Sequence, residues 1–236
     1  MRTCIAIAAA LLVCSAARAQ GDGISFSAGL KAWSTAWSGF TYTLAAGGGS
    51  VLTPVQAGNK LVWIPSATVR WGALAGSISG YAPTEFRSSD GTNDRRSEAD
   101  VNVAWLVTPG LALSVGYKRL AQIAKYSYKP AGPVLGASAS APLTGTLAFY
   151  GNLGVGRLKT PAQRSEFDVD FRADYQLLEA GLSWALPIDR FISAMNLTLG
   201  YRMQVLVSKD AGRDNQVGLD ARDITQGFVF GLTARF

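Results

Sequence analysis

The charged residues Lys31, Arg70, Asp100, Lys118, Asp168, Asp170, Arg172, Asp174, Glu179, Arg202 and Arg235 sit beside Gly, Ser, Thr and Asn in stretches whose alternate positions are apolar. A mixed-sign set of this kind can pair with itself, line a narrow path for water and ions, or hold a hard cation through carboxylate oxygen. Asp168, Asp170 and Asp174 could bind a hard cation such as calcium through oxygen, yet an acidic strand face beside Arg172 is the stronger reading. Asp90, Gly91, Asn93 and Asp94 read as a turn without calcium-loop spacing. Gly47-Gly48-Gly49 reads as an external loop and not as a phosphate loop, because no lysine or helix start follows in the required register. Nucleophilic chemistry meets a firmer obstacle. The chain has no histidine, so the Ser-His and Asp-His arrangements that activate a nucleophile cannot be built, and imidazole metal ligands are absent. No enzymatic activity, cofactor or metal is expected.

The elements that must position these charges are strands. Leu111, Leu113, Val115 and Tyr117 oppose Ala112, Ser114, Gly116 and Lys118, and Ala99, Val101, Val103, Trp105 and Val107 oppose Glu98, Asp100 and Asn102. Met195, Leu197, Leu199, Tyr201, Met203, Val205 and Val207 oppose Asn196, Thr198, Gly200, Arg202, Gln204 and Ser208, with Leu206 the one exception. A helix advances about 100° per residue and cannot keep such a set on one side. Segments 74 to 86, 143 to 150 and 153 to 159 alternate more weakly. Pro65 interrupts its strand at an expected bulge. Between 167 and 186 the apolar face switches from odd to even near Leu177 and Leu178, which predicts another, since a one-residue slip turns a strand over.

Short breaks at Gly72 to Ala73, Thr108 to Gly110, Gly151-Asn152 and Pro187 to Ser193 alternate with longer ones at Thr41 to Asn59, Arg87 to Ser97, Lys129 to Ser140, Thr160 to Glu166 and Lys209 to Asp223. Nine breaks make ten strands, or eight if two weak segments merge. Trp71, Trp105 and Trp184 fall near short breaks and Trp33, Trp37 and Trp63 near the first long one, which suggests two interfacial belts.

The ends of the chain give the pattern its setting. Arg2, the apolar run Ile5 to Val13 and Ala17-Arg18-Ala19 form an export leader over residues 1–19, too short to span a bilayer as a helix of roughly 20 residues. An acylated Cys14 is disfavoured by the bulky Val13 before it. Both cysteines, Cys4 and Cys14, lie in the leader, so residues 20–236 would carry neither disulfides nor thiolate metal sites. At the other end Phe228, Phe230, Leu232, Ala234 and Phe236 alternate with Val229, Gly231, Thr233 and Arg235. This terminal strand, with Gly231 five before a final Phe236, resembles the terminal signal of small bacterial outer-membrane β-barrels. Val229 and Ala234 depart from it, where a polar residue and an aromatic are usual.

That resemblance spans leader, alternation and terminal phenylalanine. It implies a transmembrane antiparallel up-and-down barrel in the outer membrane of a Gram-negative envelope, surrounded by lipid and inserted by the barrel-assembly machinery reading Gly231, Ala234 and Phe236. Charge agrees: 22 basic and 16 acidic residues leave +6, or +4 once Arg2 and Arg18 depart, scattered without the basic cluster that nucleic acid requires. With lipid outside, the charged set points inward, because Arg or Lys on the lipid face at mid-membrane costs roughly 2 to 4 kcal/mol. Two interiors remain open, a plug of ion pairs or a narrow porin-like path. The corresponding roles are a structural barrel or passive permeation of small solutes, with surface adhesion or host contact through the external loops as the alternative.

Overall fold

Alternating side chains fit a pleated strand, whose successive residues face opposite sides, and a sheet of such strands escapes an open edge by closing on itself. The computed structural model describes residues 23–44, 50–89, 91, 93–123, 129–161, 171–187, 192–211 and 219–236, which form ten strands and no helix. The expected leader, Asp168 and Asp170 lie outside the described residues. The strands are β1 (Ile24–Leu44), β2 (Ser50–Trp71), β3 (Leu74–Arg87), β4 (Asn93–Thr108), β5 (Leu111–Ile123), β6 (Ala131–Pro142), β7 (Leu147–Thr160), β8 (Phe171–Leu186), β9 (Ala194–Ala211) and β10 (Leu219–Arg235). Each pairs antiparallel with its chain neighbours and β10 returns to β1, so the barrel is closed. Two connections have only two residues, Gly72-Ala73 and Pro109-Gly110, and in the first Gly72 takes φ 58°, the positive φ that two-residue hairpin turns favour.

Ten strands are present, but two of them are not the expected ones. The stretch 129–140, read as a loop, holds most of β6, and Gly151-Asn152, read as a turn, lies inside β7. Gly151 and Asn152 pair with Ala139 and Ser138 on one side and with Ala180 and Glu179 on the other. Ala131, Gly132, Gly136, Ala137, Ser138 and Ala139 are small on both faces, so β6 shows almost no alternation to read. The long connections are also shorter than expected, because strands run on into them: β4 starts at Asn93, β9 reaches Ala211 and β10 starts at Leu219.

The outward face carries an apolar band bounded by charge. Val101, Val103, Trp105 and Val107 on β4 give way to Arg95. Leu113, Val115 and Tyr117 on β5 give way to Arg119, and Leu153 and Val155 on β7 to Arg157 and Lys159. At about 3.3 Å per residue and a tilt near 40°, the eight steps from Val107 to Ala99 rise roughly 20 Å, close to the roughly 25 Å apolar height of an outer-membrane barrel. The wall continues beyond the band, and there its polarity inverts. Leu120, Leu158, Ala173, Tyr175 and Leu206 form an apolar cluster inside.

This inversion removes the expected bulge in β8. The registers of β8 with β7 and with β9 run without a shift from Arg172 to Trp184. Ala173, Tyr175 and Glu179 face inward throughout, and Arg172, Gln176 and Leu178 face outward. The apparent change of face is a change of surroundings along one straight strand. Pro65 makes no bulge either, since it stays in register with Leu30 of β1. The tryptophans divide differently as well. Trp63, Trp71, Trp105 and Trp184 are exposed on the outer wall, whereas Trp33 and Trp37 are buried inside the barrel.

Candidate functional site

In the closed order β1-β10-β9-β8-β7-β6-β5-β4-β3-β2, β4 and β9 stand five places apart and therefore on opposite walls. Side chains from these walls meet in the lumen around Glu98 of β4. Its Oε1 accepts from the Gln204 amide of β9 at 2.5 Å and from the Tyr81 hydroxyl of β3 at 3.1 Å. Its Oε2 pairs with Lys118 Nζ of β5 at 2.9 Å and faces Arg202 Nη2 of β9 at 3.9 Å. Lys118 also pairs with Asp100 at 2.9 Å. Arg202 donates to Glu179 of β8 at 3.1 Å, and Glu179 pairs with Lys31 of β1. Three cations, Lys31, Lys118 and Arg202, thus meet three carboxylates, Glu98, Asp100 and Glu179, and the layer sums to zero charge.

Burial makes this pairing compulsory. Lys118, Glu98 and Glu179 are almost inaccessible to solvent, and an ion taken out of water without a partner costs several kcal/mol. Aromatic faces cover the cations from the side, with the Arg202 guanidinium 5.0 Å from the Trp33 ring centroid and Lys118 Nζ 5.0 Å from that of Tyr175. A cation over a ring gains about 0.5 to 2 kcal/mol depending on desolvation.

A second crossing lies further along β4. Arg96 donates to Thr225 at 2.7 Å and to Asp223 at 3.0 Å on β10, and sits 5.1 Å over the Trp37 ring. Asp94, on the same face, accepts from the Ser88 hydroxyl at 2.8 Å. Between the two crossings Trp33, Trp37, Ala57, Val62, Ile64, Tyr81, Phe86 and Val229 form a buried apolar cluster.

The residues singled out from sequence separate into groups. Lys31, Asp100, Lys118, Glu179 and Arg202 come together in the charged layer. Arg70 and Arg235 lie at the short-turn mouth, where Arg70 donates to the Gly72 carbonyl at 2.9 Å and Arg235 approaches the Ser193 hydroxyl at 3.4 Å. Arg172 and Asp174 face outward, above the apolar band, and Asp174 pairs with Arg157 at 3.0 Å. The expected inward direction of these two rested on the bulge that β8 does not have. Gly231, Ala234 and Phe236 lie at the end of β10, where Phe236 N donates to Phe26 O at 2.8 Å and helps close the barrel. Among the described residues no three metal-ligating side chains cluster.

Sequence reasoning placed Glu98 and Gln204 on the polar faces of their strands without counting them among the lumen residues, and passed over Arg96, Asp223, Thr225 and Tyr81. Asp94, Arg96 and Asp223 fell in stretches read as loops. The available signal was the step of two through Asp94, Arg96, Glu98 and Asp100, which continues the inward face of β4 past its expected start.

The barrel as a whole is similar to that of the outer-membrane protease OmpT from Escherichia coli, at 11% identity and a TM-score of 0.52, over 91% of this chain and 97% of that one. The translocator domain of the autotransporter NalP from Neisseria meningitidis aligns with 100% of this chain and 96% of its own at 13% identity and a TM-score of 0.39. A Pseudomonas aeruginosa FadL homologue aligns with 91% of this chain and 90% of its own at 9% identity and a TM-score of 0.38. No family model and no curated protein matches the chain. At such identity the likeness to OmpT is one of fold, and the fold is that of a bacterial outer-membrane β-barrel.

Proposed function

We propose that this protein resides in the outer membrane as a structural barrel whose lumen is closed to water-soluble solutes. One observation carries the reading: Glu98 on one wall is joined to Gln204 and Arg202 on the opposite wall, so the neutral layer spans the diameter that a permeating ion would have to cross. A barrel of this strand number is narrow enough for side chains to fill. Passive permeation of a porin-like kind would require that layer to part. The lack of histidine supports a non-hydrolytic role, and the apolar band supports lipid as the surrounding partner, reached after export under the leader and insertion by the barrel-assembly machinery.

The test is conductance of the folded protein in planar lipid bilayers, with folding checked by heat-modifiable gel mobility. The native chain is expected to give no sustained channel events, and Glu98→Ala is expected to give them. Steady conductance by the native protein would replace the closed barrel with the permeation reading.

A further inference from the structure

The junction between β2 and β3 differs from the other nine. It is hydrogen-bonded over Ser66 to Trp71 against Leu74 to Ser79 and then stops, although β2 continues to Ser50 and β3 to Arg87. Pairing returns at Ala57 and Ser88, where Ser89 N donates to Gln56 O at 2.6 Å. The register is the same at both ends: 66 with 79 and 57 with 88 each sum to 145. Eight residues on each strand, 58–65 and 80–87, are therefore unzipped within a ladder that is otherwise aligned.

The sequence explains the gap. Gly72 N reaches Gly23 O on the β1 side, so in this part of β2 the odd residues direct their N–H groups towards β3. Pro65 is one of them and has no N–H. On β3 the register with β4 shifts between Tyr81 and Thr84, and Pro83 lies in that bulge. A second shift, opposite Thr35 and Trp37, bends β2 in the same window. Two prolines and two bulges keep this stretch of wall from zipping.

Directly behind it lies the apolar cluster. Val62 and Ile64 of β2, Tyr81 and Phe86 of β3, and Trp33 and Trp37 of β1 are buried between the two polar crossings. Leu61 and Trp63 lie within the window on its outer face and are half-exposed, and Gly80 at its lower end pairs with Ala99 at the top of the apolar band, while the exposed Lys60 and Glu85 belong to its polar upper part. Unpaired backbone is not tolerated in hydrocarbon but can be satisfied at the interface. Trp33 Nε1 and Trp37 Nε1 are buried donors without an acceptor, suited to an ester or carboxyl oxygen.

We propose that the β2/β3 seam is a lateral port through which the acyl chain of a membrane lipid enters the apolar compartment around Trp33 and Trp37. This is a binding function beyond the closed lumen, and it holds whether or not the lumen conducts. The route needs side chains to move and no ladder hydrogen bond to break.

Trp33 and Trp37 report on it directly. With Trp63, Trp71, Trp105 and Trp184 replaced by Phe, the full-length protein is folded into phosphatidylcholine vesicles brominated on their acyl chains. Emission is expected to fall relative to unbrominated vesicles, and to recover when Pro65→Val and Pro83→Val restore the missing donors. No loss of emission overturns the port. A loss that persists unchanged in the double-proline variant overturns the seam as the route. Quenching by dissolved bromoalkane alone overturns lipid as the source. Should the proline variant not fold, hydrogen exchange on the unaltered chain decides: amides in 58–64 and 80–86 are expected to exchange faster than those of 99–105 in β4, and equal protection overturns the proposal.

Discussion

Glu98 and Gln204 face each other from opposite walls, and the Gln204 amide donates to the Glu98 carboxylate at 2.5 Å across the lumen. This one contact ties the β3-β4-β5 side of the barrel to the β8-β9-β1 side. Arg202 facing Glu98 at 3.9 Å and Arg96 reaching Thr225 and Asp223 add to this tie, which the backbone ladders around the circumference do not supply. The charged layer therefore braces the barrel across its diameter.

Removing the Glu98 carboxylate should consequently weaken the fold. Glu98→Ala leaves the Tyr81 hydroxyl and the Gln204 amide without their acceptor and Lys118 with Asp100 alone. Breaking a buried charge pair from one side typically costs about 3 to 5 kcal/mol, and urea unfolding of the detergent-folded protein should show a loss of that order. Glu98→Ala combined with Lys118→Met is expected to cost less than the sum of the two single changes, because the second removes a charge the first has left under-neutralised.

Arg95 and Arg96 are neighbours in sequence on opposite faces of β4, and they predict opposite outcomes. Arg95 pairs with Glu85 at 2.7 Å with both side chains exposed, so Arg95→Ala should change stability by less than about 1 kcal/mol. Arg96 reaches Asp223 and Thr225 across the lumen and covers Trp37. Arg96→Ala should cost about 3 kcal/mol or more, measured by the same urea titration, and equal effects at the two positions would contradict the assignment of faces.

Strand type and number were legible because an apolar outer face and a polar inner face write a period of two along most of the chain. Met195 to Val207 is the clearest instance. The signal fades where either side loses contrast. In β6 both faces are small, so the strand vanished into an expected loop, and Gly151 and Asn152 were given turn meaning that their pairing on both sides denies. Above the apolar band the contrast reverses, with Tyr175 inside and Arg172 outside, and a straight β8 imitates a bulge. Of the lumen, the residues inside the band were readable, whereas Arg96 and Asp223 lie where strand and loop share one composition. Cross-lumen partners such as Glu98 and Gln204, 106 residues apart, are set by closure of the barrel, which alternation within single strands does not encode.

The reversal on β8 gives a test by position. Leu182 faces outward within the band and Gln176 faces outward above it, three outward positions away. Leu182→Arg should destabilise vesicle-folded protein by roughly 2 to 4 kcal/mol, the cost of arginine on a lipid-facing mid-membrane site. Gln176→Arg, beside Asp174, should be nearly neutral. Comparable losses at both would mean that the band extends higher than Leu178.

Gly231 separates packing from assembly as the reason for a glycine near the end of the chain. It faces inward, and a Cβ placed there would collide with Thr198 Oγ1 and come within 3.2 Å of Lys31 Cγ. The missing side chain thus leaves the passage along which Lys31 reaches Glu179. Gly231→Val should displace that lysine, leave Glu179 with Arg202 as its sole cation in the layer, and cost about 1 to 3 kcal/mol through overpacking. Thr198→Ala in the same chain should return part of the loss by clearing the hydroxyl. The measurement is urea unfolding of protein refolded in detergent, where no assembly machinery is present. A residue read only during insertion would leave that stability unchanged, so a full loss of folding yield in cells with native stability in detergent would assign Gly231 to assembly and overturn its role in seating Lys31.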